Sequence, residues 1–166
     1  MRSKIFAAVV SMSIATLALS ACQTLPQPQT HSLSAGQVDT LRAQGFVQTA
    51  QGWEFGMADP LLFATDESRL KPEQGAVITR IAQALLSVDI RRARVEGHTD
   101  ETGSDRYNDQ LSFKRASAVA MALTEGGMHR EDLTVRGLGK HFPLGSNHTT
   151  TGRQENRRVV IIVASQ

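Results

Sequence analysis

Gly97-His98-Thr99-Asp100 places an imidazole and a carboxylate two residues apart, after a run (92–98) that alternates like a strand and ahead of a helix. Side chains at a strand end, aimed into the following loop, are where folds often meet ligand. A metal site could use His98 and Asp100, but it needs a third ligand, and neither Cys nor another close His supplies one. A hydrolase triad can be written from Ser104, His98 and Asp100, yet no strained G-x-S-x-G nucleophile motif is present. Gly137-Leu138-Gly139-Lys140 resembles part of a phosphate loop. It lacks the first Gly at the required offset and the following Ser/Thr, and Pro143 and Gly145 argue against a helix after it, so it reads as a turn. The remaining chemistry is a pairing of opposite charges. Asp100 lies at the strand end and Arg115 on the next helix, one turn beyond Leu111; Asp66 and Arg157-Arg158 can join them if the strands are neighbours. An arbitrary Asp and Arg so placed more often form a structural salt bridge, so that reading stands beside the ligand-binding one.

The elements that must position these groups are legible from spacing. Ser34-Ala35-Gly36-Gln37 has the form of a capping box, which opens a helix over about 35–44 with Val38 and Leu41 on one face and a stop at Gly45. FVQTAQGWEFGM puts two short apolar stretches around Ala50-Gln51-Gly52 and predicts a hairpin. Trp53, the chain's single Trp, suits either a core residue or an exposed anchor for a partner. Leu61-Leu62-Phe63 reads as a buried strand end or turn. Pro72 suits a first helical turn, and Val77, Ile78, Ile81, Ala82, Leu85 and Val88 recur at helical spacing behind it. Ser104 can cap a long helix over 105–125, with Tyr107, Leu111, Ala118, Met121 and Ala122 expected toward the core and Gly126-Gly127 ending it. Residues 133–137 read as a strand, 137–154 as a loop, and RVVIIV (158–163) as a central strand. Strands alternating with helices predict an α/β (α+β) sandwich, its helices on one face of a small mixed sheet.

Composition narrows the function class. The chain has 166 residues, of which 40% are hydrophobic and 20% charged, as in a globular domain. One Cys excludes an internal disulfide framework. The formal charge of +2 carries no nucleic-acid signal, because Arg2 and Lys4 are the only charges in the first 21 residues and the rest of the chain is balanced. Those residues read as a secretory signal: two bases, an apolar run diluted by Ser11, Ser13, Thr16 and Ser20, then small residues. Leu19-Ser20-Ala21-Cys22 resembles the bacterial lipobox, which makes Cys22 the lipidated N-terminus of the mature chain. Several acyl chains hold firmly where one would not. Gln23 in place of Asp after the Cys implies, by that resemblance, retention at the outer membrane on its periplasmic side. Residues 23–33, with two prolines and no charge, form a tether of at most roughly 36–40 Å.

VEGHTDETGSDRYNDQLSFKRASAVAMAL (95–123) matches the motif v-x-GHTD, then G, then N-x-x-LS-x-x-RA-x-x-V-x-x-x-L, and GRQENRRVVIIV follows in the expected order. The chain resembles the OmpA-like (OmpA C-terminal, Pal-type) peptidoglycan-binding domain over roughly 55–163. The resemblance implies a β-α-β-α-β-β domain, no enzymatic activity and no cofactor or metal. It implies peptidoglycan as ligand, bound through the meso-diaminopimelate of the stem peptide. Asp100 then takes the ligand's ammonium and Arg115 its carboxylate; Asp66, Thr99, Gly103, Leu111 and one of Arg157 and Arg158 complete the contacts, since neighbours in a strand face opposite ways, and Arg157 is the preferred one of an alternative the sequence leaves open. The physics agrees: a guanidinium grips a carboxylate through two parallel hydrogen bonds, which Lys cannot.

One lipoprotein branch of the family, with a similar GWEFGMADPLLF segment and short tether, works in periplasmic signalling. There the lipoprotein captures a small periplasmic repressor and so frees an inner-membrane diguanylate cyclase, raising cyclic-di-GMP. On that reading the chain divides into a signal peptide (1–21), lipidated Cys and tether (22–33), a docking segment (34–54) and the peptidoglycan-binding domain (55–166). Leu41, Phe46, Trp53 and Phe55 are then the docking residues, and a homodimer is compatible. The alternatives are a purely structural tether between outer membrane and wall and, from another class, a periplasmic hydrolase using His98.

Overall fold

The computed structural model describes residues 32–63 and 68–164. Cys22, the leader, most of the tether and Asp66 lie outside the described residues.

The first helix, α1 (Ala35–Ala43), starts as its capping box requires: the Ser34 hydroxyl accepts from the Gln37 N–H, and the Gln37 side chain accepts from the Ser34 N–H. Gly45, at φ 86°, takes the left-handed conformation that lets the chain turn out of the helix. The hairpin follows as β1 (Val47–Thr49) and β2 (Gly52–Ala58). A short helix α2 (Asp59–Leu62), the long α3 (Pro72–Ser87), β3 (Ala93–His98), α4 (Asp105–Glu125), a 3-10 turn, β4 (Leu133–Gly137), α5 (Thr150–Asn156) and β5 (Arg158–Val163) complete the described elements.

Among the described residues the strands form one mixed sheet in the order β1-β2-β5-β3-β4. β5 pairs antiparallel with β2 and β3, whereas β3 and β4 are parallel, as a crossover through α4 demands. The continuous apolar reading of RVVIIV is explained by this central position. Val159, Ile161 and Val163 enter the main core, and Val160 and Ile162 are buried on the other face. Helix α4 packs on β3, β4 and β5, α3 on α4, and α1 on α3. Ile78, Ile81, Ala82 and Leu85 of α3 are buried as their spacing predicts. No helix of the described residues is long and apolar enough to cross a membrane.

The contact between α4 and the sheet is unusually close. A Cβ on Gly97 of β3 would lie 2.1 Å from the Ser112 carbonyl oxygen, and one on Gly137 of β4 would lie 2.6 Å from the Asp109 oxygen. Glycine therefore lets the helix backbone rest directly on two strands, which fixes the height of Asn108, Ser112 and Arg115 above the sheet. Gly97→Ala should lower stability by roughly 3 kcal/mol or more, since backbone must move to admit the methyl; denaturant unfolding measures it.

Four expectations need correction. The 137–154 stretch is not loop throughout, because Thr149 caps α5 by accepting from the Gly152 N–H; with no apolar periodicity, this short helix gave no signal. On α4 the buried residues are Asn108, Ser112, Arg115, Ala116, Val119, Ala120, Ala122 and Leu123, so Ala122 faces inward as expected, whereas Tyr107 and Met121 are 50% and 63% exposed and Leu111 and Ala118 only partly buried. The first half of the inward face carries the polar Asn108, Ser112 and Arg115, so apolar spacing there pointed to the wrong residues. The expected boundary at 54/55 falls inside β2, which runs unbroken against β5. Finally, of the two readings of Trp53 the core one holds in this structure, and Leu41 and Phe46 are buried with it, so these side chains can meet a partner only if α1 leaves the domain. Phe55 is half-buried, tilted 34° against Phe46 at 5.4 Å, and the Arg42 guanidinium covers Trp53.

Candidate ligand-binding site

Two acid–guanidinium pairs gather at the C-terminal end of β3, one buried and one with its guanidinium partly exposed. Asp100 follows the strand directly and is pinned on both oxygens. Oδ1 accepts from the Thr102 N–H at 2.9 Å, and Oδ2 accepts from Arg157 Nη1 at 2.6 Å. Burial alone would raise the Asp100 carboxyl. The Arg157 hydrogen bond, the Thr102 backbone and hydroxyl groups and the Arg157 charge outweigh it and hold the carboxyl below the usual aspartate value. Arg115 reaches the site from α4, with its Nε 3.0 Å from Oδ1 of Asp59 and its guanidinium 5.3 Å from the centre of the Phe63 ring. Arg115 and Asp59 are each less than a tenth exposed.

The backbone links the two pairs. The Asp59 N–H donates to the Arg157 carbonyl at 2.8 Å, so the start of α2 is stitched to the residue preceding β5. Acids and guanidiniums therefore sit on four different segments: the β2–α2 junction, the β3–α4 loop, α4 and the α5–β5 junction. Asn108, 2% exposed, holds that loop by donating from Nδ2 to the Thr102 carbonyl at 3.0 Å. Gly103 at φ 95° closes the turn, and its carbonyl accepts from Lys140 Nζ. The buried Thr99 donates its N–H to the Gly139 carbonyl, while the Gly139 N–H donates to the Ser112 hydroxyl. Gly137-Leu138-Gly139-Lys140 is thus a turn clamped onto α4, and Lys140 pairs with Asp105.

Asp100, Thr99, Gly103, Arg115 and Arg157 converge at this end of the sheet, and Leu111 lies one turn before Arg115 on α4. Asp100 and Arg115 are not the mutually facing arms that sequence reasoning expected, since each is already engaged by another residue. The residue that reasoning missed is Asp59. Its signal was faint, an Asp-Pro step opening a helix too short to show periodicity. Arg157, rather than Arg158, meets Asp100. Arg158 turns to the opposite face of the sheet, where it donates to the Asn156 and Phe142 carbonyls.

His98 also lies on that opposite face, beside Arg158. Burial, reinforced by the Arg158 charge, lowers its pKa to about 4, so the ring is neutral at neutral pH. The Ser104 hydroxyl accepts from the Tyr107 N–H as a helix cap, and His98 Nδ1 has no hydrogen-bond partner. No bond links Ser104, His98 and Asp100, so the triad that the sequence allows is not assembled. Among the described residues no cluster of His, Cys, Asp and Glu could hold a metal ion.

The OmpA family profile matches residues 62–157, which span most of this machinery. The outer-membrane lipoprotein YfiB of Pseudomonas aeruginosa is 49% identical over 90% of this chain and 88% of its own. A lipoprotein YfiB of Escherichia coli is 40% identical over 95% and 96%. Among solved structures, the peptidoglycan-associated lipoprotein of Burkholderia pseudomallei superposes with a TM-score of 0.55 and 31% identity, covering 61% of this chain and 86% of that one.

Proposed function

The chain belongs to the OmpA family, and from that premise we propose that it is a non-enzymatic outer-membrane lipoprotein that binds peptidoglycan through meso-diaminopimelate. The observation that carries the reading is two ion pairs at one end of the sheet, the buried Arg115 with Asp59 and the partly exposed Arg157 with Asp100, which set carboxylates and guanidiniums side by side. The free end of diaminopimelate is likewise a zwitterion, an ammonium beside a carboxylate. A site whose charges are already paired can exchange part of that pairing for the guest, each guest charge meeting its opposite. The ammonium takes Asp100 in place of Arg157, and the carboxylate takes the Arg115 fork. Cys22 is the lipid attachment point. The lipoprotein names of the YfiB relatives, and the association with peptidoglycan stated in the name of the Burkholderia structure, support this assignment.

Asp100→Ala tests it. The variant should lose about 2–5 kcal/mol of affinity for purified sacculi while staying folded, measured by co-sedimentation beside a thermal melt. Undiminished binding by the folded variant sinks the assignment.

We further infer a signalling role, in which the protein captures a small periplasmic repressor and so releases a diguanylate cyclase. The observation favouring it over a passive tether is α1, a capped helix folded onto the domain with Leu41 fully buried. A passive tether gains nothing from winding in part of its own reach. A switch does, because detachment of 34–45 would lengthen the tether and uncover the Phe46, Trp53 and Phe55 surface.

A further inference from the structure

We propose that Asp59 is a positioning residue that orients Arg115 toward the ligand carboxylate, and that it thereby sets the preference for diaminopimelate over lysine in the stem peptide; this rests on the diaminopimelate reading above. Lysine presents the same side-chain ammonium but lacks the neighbouring carboxylate, so discrimination between the two depends on how well the site holds a guanidinium for that carboxylate.

The geometry supports this division of labour. An Arg side chain has several rotatable bonds, and a free guanidinium at the end of them samples many directions. Here one carboxylate stands beside Nε at 3.0 Å, and the Phe63 ring lies under the guanidinium at 5.3 Å. Those two contacts fix both the edge and the plane of the fork. Asp59 is itself fixed. It opens α2, with Pro60 following it, and its N–H is held by the Arg157 carbonyl. Asp59 also balances the Arg115 charge in a site where Arg115 is 4% exposed. Without that balance, a buried cation would bind any small anion rather than discriminate between wall peptides.

Asp59 and Asp100 consequently have separable roles. Asp100 meets the ammonium, which both stem peptides carry. Asp59 stands against Arg115, and so bears on the carboxylate that one of them carries.

The test uses two soluble probes, a stem tripeptide ending in meso-diaminopimelate and the same tripeptide ending in lysine, titrated calorimetrically into the full domain. Wild type should prefer the diaminopimelate peptide at least tenfold. Asp59→Asn should weaken that peptide about tenfold and leave the lysine peptide within twofold, while Asp59→Glu, which keeps the charge, should retain most of the preference. Equal loss for both peptides, or no loss for either, overturns the role of Asp59. Failure of wild type to distinguish the peptides overturns the diaminopimelate reading itself, and the inference with it. Should the Asn variant not fold, Asp59→Glu decides: moving the carboxylate by one methylene should shift the Arg115 Nε–H signal in a nitrogen-15 NMR spectrum and weaken the diaminopimelate peptide more than the lysine peptide. An unmoved signal, or equal loss for both peptides, overturns the role of Asp59.

Discussion

Arg115→Ala should abolish retention on sacculi and, alone among the pocket substitutions, also destabilise the fold strongly. The side chain is 4% exposed and stands against Asp59, 7% exposed, so its removal takes the guanidinium away from a buried carboxylate. Breaking a buried pair in this way costs about 3–5 kcal/mol. Binding should fall by a further 2–5 kcal/mol, which is about thirty-fold to several thousand-fold. Arg115→Lys separates the two effects. It keeps a charge for Asp59 and recovers much of the stability, but it has no fork for a ligand carboxylate and should remain a poor binder. Denaturant unfolding and sacculus co-sedimentation on both variants give the four numbers required. Full binding by Arg115→Lys would show that the fork is not what the ligand reads.

The second large effect is expected at Leu41. Proline there removes a helical hydrogen bond and clashes with the preceding turn, at a cost of about 3 kcal/mol or more. It also removes a fully buried side chain from the core, for which large-to-small substitutions cost about 2–5 kcal/mol. Helix α1 is short and lies at the edge of the domain, packed on α3, so the loss should fall on α1 while the sheet survives. Freeing residues 34–45 adds roughly 40 Å of extended reach to the tether. Leu41→Pro should therefore behave as the switched-on form. Hydrogen exchange over 35–43 should accelerate, and capture of the small repressor proposed above should rise at equal protein level. Equal capture by wild type and variant would remove α1 from the mechanism.

How far the sequence reveals this protein varies with the kind of signal each segment carries. Helix α3 and strand β5 were plain because burial of one face or of both imposes a period that apolar residues display directly. The cap of α1 was plain because Ser34 and Gln37 satisfy specific backbone groups. Helix α4 misled because the stretch that faces inward carries Asn108, Ser112 and Arg115, polar groups buried for function and satisfied by tertiary partners that spacing cannot reveal. Asp100 and Arg115 stood out through the motif around them, but their actual partners did not. Asp59 lies 41 residues before Asp100 in the chain and is brought to Arg115 only when β2 pairs with β5. Trp53 was undecidable from composition; it is turned to the core by the pairing of β2 with β5, where it lies opposite Val163, with the Arg42 guanidinium over its ring, and these are long-range contacts rather than a local preference.

The chain enters the domain beside Val163 and Ala164, where Leu33 and Gln37 meet residues 89–92. The ion pairs lie at the other end of the same strand, next to Arg158. Six residues of β5, about 20 Å, separate them. If the proposed lipid anchor and wall contact lie at these two ends, tension on the tether falls first on α1, held by the buried Leu41 and by the Gln37 hydrogen bond to the Val88 carbonyl, and would draw 34–45 off the domain before the ladders of β5 carry any load.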